Sequence, residues 1–88
     1  MEFQFDPAKA AGNLRKHGVS FADAESLFSD PLALHRIDPD REGEERFVAI
    51  GAGSTGPLLV VVYTVHDETI RLISARRATP AEIRAYET

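Results

Sequence analysis

Lys16-His17-Gly18 sets an imidazole, the side chain that exchanges protons near neutral pH, directly beside an ammonium. That pairing suits proton transfer next to a phosphate, with the cation holding the anion while the ring moves the proton. A cationic last turn also serves the carbonyl end of a helix dipole, worth about 0.3–1 kcal/mol, so both readings stand on these residues alone. A second group is Arg46, Arg71, Arg76, Arg77 and Arg84, which supply every positive charge in residues 45–88. Guanidinium contacts phosphate or carboxylate in bidentate fashion. Strand side chains can converge on one sheet face, so these arginines either form a compact anion site or a solvated surface with ion pairs to Glu44, Glu45 or Glu68. Tyr86, four residues after Glu82, either packs on the sheet or stacks a base for about 1–3 kcal/mol.

Other apparent motifs dissolve on inspection. Gly51-Ala-Gly53-Ser-Thr-Gly56 has the letters of a dinucleotide fingerprint, but Pro57 and a β-branched run follow where a helix is required. It reads as a hairpin loop. His35 falls in a strand and His66 in a turn, and no H-x-x-x-H or E-x-x-H spacing occurs, so neither a metal nor another cofactor is expected.

The elements that must position these residues follow from period and capping. Phe3 and Phe5 suggest a short opening strand. Asp6-Pro7 is an N-cap with proline at N1, Ala8, Ala11 and Leu14 give a weak apolar face, and Gly18 suits the left-handed closing position. Ser20 and Asp23 open a second helix whose stripe is Phe21, Ala24, Leu27 and Phe28, ended by Asp30-Pro31. Residues 32–37, 46–50, 58–65 and 70–77 read as strands, with a polar turn over 38–43 and a second turn at His66-Asp67-Glu68. Arg71, Ile73, Ala75 and Arg77 are expected on one side of the last strand, and Ile70, Leu72, Ser74 and Arg76 on the other. Thr79-Pro80-Ala81-Glu82 is a capping box that opens a final helix to about Glu87. The order β-α-α-β-β-β-β-α predicts an α+β fold with a mostly antiparallel sheet.

Bulk properties narrow the function classes. Eighty-eight residues make a single domain, residues 1–88, and the absence of cysteine excludes disulfides and thiolate chemistry. No stretch resembles a signal peptide, and the apolar run at 58–63 is far shorter than a membrane span, so a cytoplasmic protein without membrane contact is expected. A net charge of −4 argues against coating nucleic acid by bulk charge. The excess lies in residues 1–44, with five basic against nine acidic side chains, while residues 45–88 balance. A local phosphate site is compatible with that distribution.

Taken together, Phe5-Asp6-Pro7-x-Lys9-Ala10, Asn13-Leu14-x-Lys16-His17-Gly18-Val19-Ser20-Phe21, Glu44-x-Arg46 and the strand after it resemble the BrnT toxin family. Asp30-Pro31, residues 58–64, Arg71-Leu72-Ile73-Ser74-Ala75-Arg76, Ala78, Glu82 and Tyr86 extend the resemblance over essentially the whole chain. It implies a RelE-like fold and a type II toxin that cleaves RNA without a metal and arrests growth until neutralised by a cognate antitoxin. That antitoxin would be a BrnA-like ribbon-helix-helix protein, through which alone the complex reaches operator DNA. Metal-free cleavage proceeds by attack of the 2′-hydroxyl on the adjacent phosphate, and needs proton transfer plus cations for the phosphorane. The expected catalytic set is His17, Arg46 and Arg76, with Lys16, Arg71, Arg77 and Tyr86 on flanking phosphates or a base. The competing reading is a non-catalytic binding module acting in an antitoxin–DNA complex. A DNA-reading helix-turn-helix is the weaker alternative, because the second helix carries Asp23 and Glu25 and no cation.

Overall fold

Asp6 caps the first helix by accepting the Ala8 N–H at 2.9 Å, Pro7 takes the first helical position, and Gly18 closes it at φ 70°. These local choices start a chain that the computed structural model describes over residues 1–38 and 45–88. The elements are β1 (Glu2–Gln4), α1 (Pro7–His17), α2 (Phe21–Glu25) continuing as a 3-10 turn over Ser26–Ser29, β2 (Leu34–Ile37), β3 (Phe47–Ala52), β4 (Leu58–His66), β5 (Thr69–Arg77) and α3 (Pro80–Glu87). The order matches the expected one. Of the predicted turn over 38–43, everything after Asp38 lies outside the described residues, as does Glu44. No helix among the described residues is long and apolar enough to cross a membrane.

The five strands run in the order β1-β5-β4-β3-β2, with β1 parallel to β5 and every other pair antiparallel. One face carries Ala49, Leu59, Val61, Tyr63, Ile70, Leu72 and Ala75, which pack against Phe21, Ala24 and Leu27 of the second helical segment. The core lies there. α3 packs on the opposite face, where Ala81 and Ala85 line a groove with Leu34, Val48 and Ile50.

Two expectations about faces need correction. Val62 pairs with Ser74 and Tyr63 with Leu72, so Ile73 is an extra residue in β5. This bulge shifts the alternation by one place. Ile70, Leu72, Ala75 and Arg77 share the helix-covered face, and Arg71, Ser74 and Arg76 share the other. Strict alternation had divided Arg71 from Arg76. The buried side of α1 is also different: Leu14 is half exposed and Ala8 and Ala11 are exposed, whereas Asn13 is only 8% exposed and Ala10 packs on the core.

A polar residue wins that position because β5 has a bare flank. β1 pairs only with Thr69, Ile70 and Arg71. Farther along, the Asn13 side chain accepts the Ala75 N–H at 3.0 Å and donates to the Ala75 carbonyl at 2.8 Å. It also donates to the Val19 carbonyl at 2.9 Å. One amide thus replaces a missing strand and ties the turn after α1 to it. Its loss leaves buried backbone groups unpaired, each costing roughly 1–3 kcal/mol. Asn13→Ala should therefore lower the thermal midpoint by about 10 °C or more, and Asn13→Asp should be no better, because a carboxylate cannot donate to either carbonyl. Thermal unfolding followed by circular dichroism tests both.

Candidate functional site

Two carboxylates on the second helical segment fix the hairpin that carries β3 and β4. Asp23 accepts from the Ser54 hydroxyl at 2.5 Å, the Thr55 N–H at 3.1 Å and the Thr55 hydroxyl at 3.2 Å. Those bonds, led by the one from Ser54, lower its pKa. Asp30 accepts the Ala52 N–H and the Leu32 N–H, both at 2.9 Å, and these backbone bonds lower its pKa as well. Gly51 and Ala52 end β3, and the rest of the Gly51–Gly56 segment is the expected hairpin loop. A Cβ on Gly53 would stand 2.9 Å from the Asp23 carboxylate and 2.7 Å from Leu59, and one on Gly51 would stand 2.9 Å from Leu27. The first two glycines of the pseudo-fingerprint serve close packing.

α3 is held as tightly. Thr79 and Glu82 form the capping box, with the Thr79 N–H donating to Glu82 at 2.8 Å and the Glu82 N–H to the Thr79 hydroxyl at 3.3 Å. Arg76 reaches up from β5 and grips both Glu82 oxygens at 2.8 Å. This contact is the main cause that holds the Glu82 carboxyl down to about 2. The Tyr86 hydroxyl donates to Asp30 at 2.8 Å, and that bond raises its pKa.

The anion-site candidates now separate. By register and alternation, Arg36, Arg71 and Arg76 lie on the face opposite the core. Arg46 joins them: its carbonyl accepts the Asp38 N–H at 2.8 Å, which extends the β2–β3 ladder one step, and the β3–β4 register, continued one step past the Phe47–Tyr63 pair, sets it beside Thr64. Thr64 pairs on its other side with Arg71, which pairs in turn with Gln4. Adjacent strands are about 4.8 Å apart, so Arg46 and Arg71 straddle Thr64 with about 10 Å between their backbones. Both arginines are exposed, and neither has a carboxylate partner among the described residues. Thr64 is 1% exposed, and its hydroxyl has no hydrogen-bond partner. A buried hydroxyl without a partner costs roughly 1–3 kcal/mol, and among the described residues Thr64 is the buried side-chain group that lacks one. His66 is two residues beyond Thr64 on the same face.

The remaining candidates lie elsewhere. Lys16 and His17 end α1, which packs on the core face, and the bulge turns Arg77 to that side too. Arg76 shares the open face but is already neutralised by Glu82. Tyr86 is tethered to Asp30 rather than presented as a stacking platform. Sequence reasoning missed Thr64, whose signal was a hydroxyl inside an otherwise apolar strand, and Arg36, which it counted only as charge.

A second concavity, of about 490 Å³, opens on the core face beside His35 and Tyr63. The His35 Nδ1 is 2.9 Å from the Tyr63 hydroxyl, and Phe28 and Phe47 pack on the Tyr63 ring at 4.9 and 5.4 Å. Asp67 and Glu68 rim it. Their charge opposes a phosphate there, so the arginine face is the better candidate for an anion.

A family model described as "Ribonuclease toxin, BrnT, of type II toxin-antitoxin system" matches residues 5–82. Among solved structures, the ribonuclease toxin BrnT of Brucella abortus is similar at 29% identity with a TM-score of 0.66, over 90% of this chain and 97% of that one. No curated protein sequence matches the chain.

The Arg76–Glu82 grip has a pH signature. Glu82 has a lowered folded pKa, so its contribution is complete above pH 4.5, the ordinary value, and is lost as pH falls toward about 2. Thermal midpoints of the native chain and Glu82→Gln should differ above pH 4.5 and converge near pH 2. A gap that does not change over this range would show that the pair contributes nothing to stability.

Proposed function

Because the chain belongs to the BrnT family of ribonuclease toxins of type II toxin–antitoxin systems, we propose that it cleaves RNA on the arginine-lined face of its sheet. The observation that carries this reading is the buried, unpartnered Thr64 hydroxyl set between Arg46 and Arg71. Two guanidinium groups there hold the scissile phosphate and take up the charge that builds on it as the 2′-hydroxyl attacks. The Thr64 hydroxyl, buried in the free chain, donates to a phosphate oxygen once the side chains over it shift onto the anion, and so gains the partner it lacks. Arg36 extends the face for a flanking phosphate.

The proton carrier on this reading is His66 rather than His17, since alternation along β4 sets His66 on the same face as Thr64. The imidazole accepts the 2′-hydroxyl proton, the new O2′–P bond forms, the P–O5′ bond breaks, water gives a proton to O5′, and the imidazolium returns its proton to the hydroxide left behind. Products are a cyclic phosphate and a 5′-hydroxyl. Arg76 anchors α3 through Glu82 and keeps the face flat, without touching phosphate. The acidic rim of the opposite concavity keeps RNA to one side.

The reading separates cleanly from one in which the chain only binds partners. Arg46→Ala and Arg71→Ala should each lower cleavage of a synthetic RNA about 100-fold, within the range for removing one transition-state donor. His66→Gln should do likewise, and His17→Gln should cleave as the native chain does. Thr64→Val should raise the thermal midpoint, by relieving an unpaired hydroxyl, while lowering cleavage. If Thr64→Val and His66→Gln both cleaved at the native rate, the site would lie elsewhere; if the native chain cleaved no RNA, the binding-module reading would replace this one.

A further inference from the structure

We propose that β2 is the docking strand for the antitoxin: an extended antitoxin segment adds to its open edge, placing an aliphatic residue in the groove beneath α3 and a carboxylate on Arg36. This inference rests on membership of a family whose toxins pair with an antitoxin, and not on the catalytic reading. Toxin–antitoxin binding can therefore fail or succeed without regard to RNA cleavage.

β2 ends the sheet, and all four of its residues are exposed. The Asp38 N–H bonds to the Arg46 carbonyl, so Asp38 and Arg46 are a hydrogen-bonded pair. Such pairs alternate along an antiparallel ladder. Arg36 and Leu34 are therefore also bonded to β3, and the N–H and C=O groups of His35 and Ile37 point outward, away from the sheet. That row is what strand addition uses.

Side chains supply the specificity. Leu32, Leu34 and Ile37 are 68%, 47% and 54% exposed, an apolar concentration on one short segment. Leu34 borders a groove of about 260 Å³ with Val48, Ile50, Ala81 and Ala85. The two alanines are small and one helical turn apart on α3, which leaves room for a branched aliphatic side chain arriving from the edge. Arg36 is two residues along on the same face and has no carboxylate partner among the described residues. The added strand thus carries an aliphatic residue followed or preceded, two positions away, by an acid. A second copy of this chain fits poorly, because the pairing that uses both His35 and Ile37 sets Arg36 opposite Arg36, and like charges directly opposed destabilise a sheet.

The test uses the chain co-expressed with the antitoxin encoded beside it and purified as the complex. Amide hydrogen exchange at His35 and Ile37 should slow on complex formation, while Leu34 and Arg36, already bonded to β3, change little. Ile37→Pro removes only an outward N–H, so the chain should keep its thermal midpoint and bind the antitoxin at least about tenfold more weakly. Leu34→Glu, at an exposed position, should weaken binding similarly if the proline variant does not fold. Unchanged exchange at His35 and Ile37 in the complex would overturn the proposal. So would equal protection in the free chain on raising its concentration, which would assign the edge to self-association.

Discussion

Everything on the working face depends on how the chain closes the bare flank of β5. β1 is three residues long and stops at Gln4, leaving the rest of a nine-residue strand without a neighbour on that side. Asn13 supplies the missing acceptor and donor from a helix. Its third bond, to the Val19 carbonyl, fixes the turn that launches the next helical segment. Phe21, Ala24 and Leu27 then seal the core, and Asp23 and Asp30 reach the β3–β4 hairpin. A single amide therefore sets the register of helices against sheet, and through them the placement of β3.

The two faces of the sheet divide the work. Apolar side chains, α1 and the second helical segment fill one; the other carries α3 and the arginines. The division is made by one extra residue. Without the bulge at Ile73, the guanidinium of either Arg71 or Arg76 would compete for space with the core, since they would alternate onto opposite sides. With it, Arg76 spends its charge on Glu82 and secures α3, while Arg71 remains available beside Thr64. The negative net charge of the chain is compatible with this arrangement: Asp23 and Asp30 are occupied as acceptors at the β3–β4 hairpin, and Glu82, on the same face as the arginines, is paired with Arg76.

Much of the architecture was legible in the residues themselves. Capping signals at Asp6, Ser20 and Thr79 each proved to accept the expected backbone N–H. Alternation, together with the continuous apolar run at 58–65 and the phenylalanines at 3 and 5, located the strands of the sheet, and Pro57 correctly ruled out a nucleotide cradle at Gly51–Gly56. What escaped were long-range events. Nothing local marks Ile73 as a bulge, because its side chain is as apolar as its neighbours. Asn13 is invisible to an apolar count, which selected Leu14 instead. The pairings Arg76–Glu82 and Tyr86–Asp30 need the last helix folded back on the sheet, and spacing alone cannot show whether a charged or phenolic group will meet solvent or a partner.

The first and last strands are neighbours, with Phe3 beside Ile70, and Asn13 meets a residue 62 positions away. Contacts so distant along the chain form late. At roughly 5–20 residues per second, ribosomal synthesis passes Arg46 a few seconds and Thr64 about one second before Arg71 is added, so the nascent polypeptide briefly has only part of the arginine face. β2 belongs to the half already translated, but the groove beside it is closed only by Ala81 and Ala85 of α3, the last element made. The arginine face and the groove at the sheet edge are therefore completed together, at the end of synthesis.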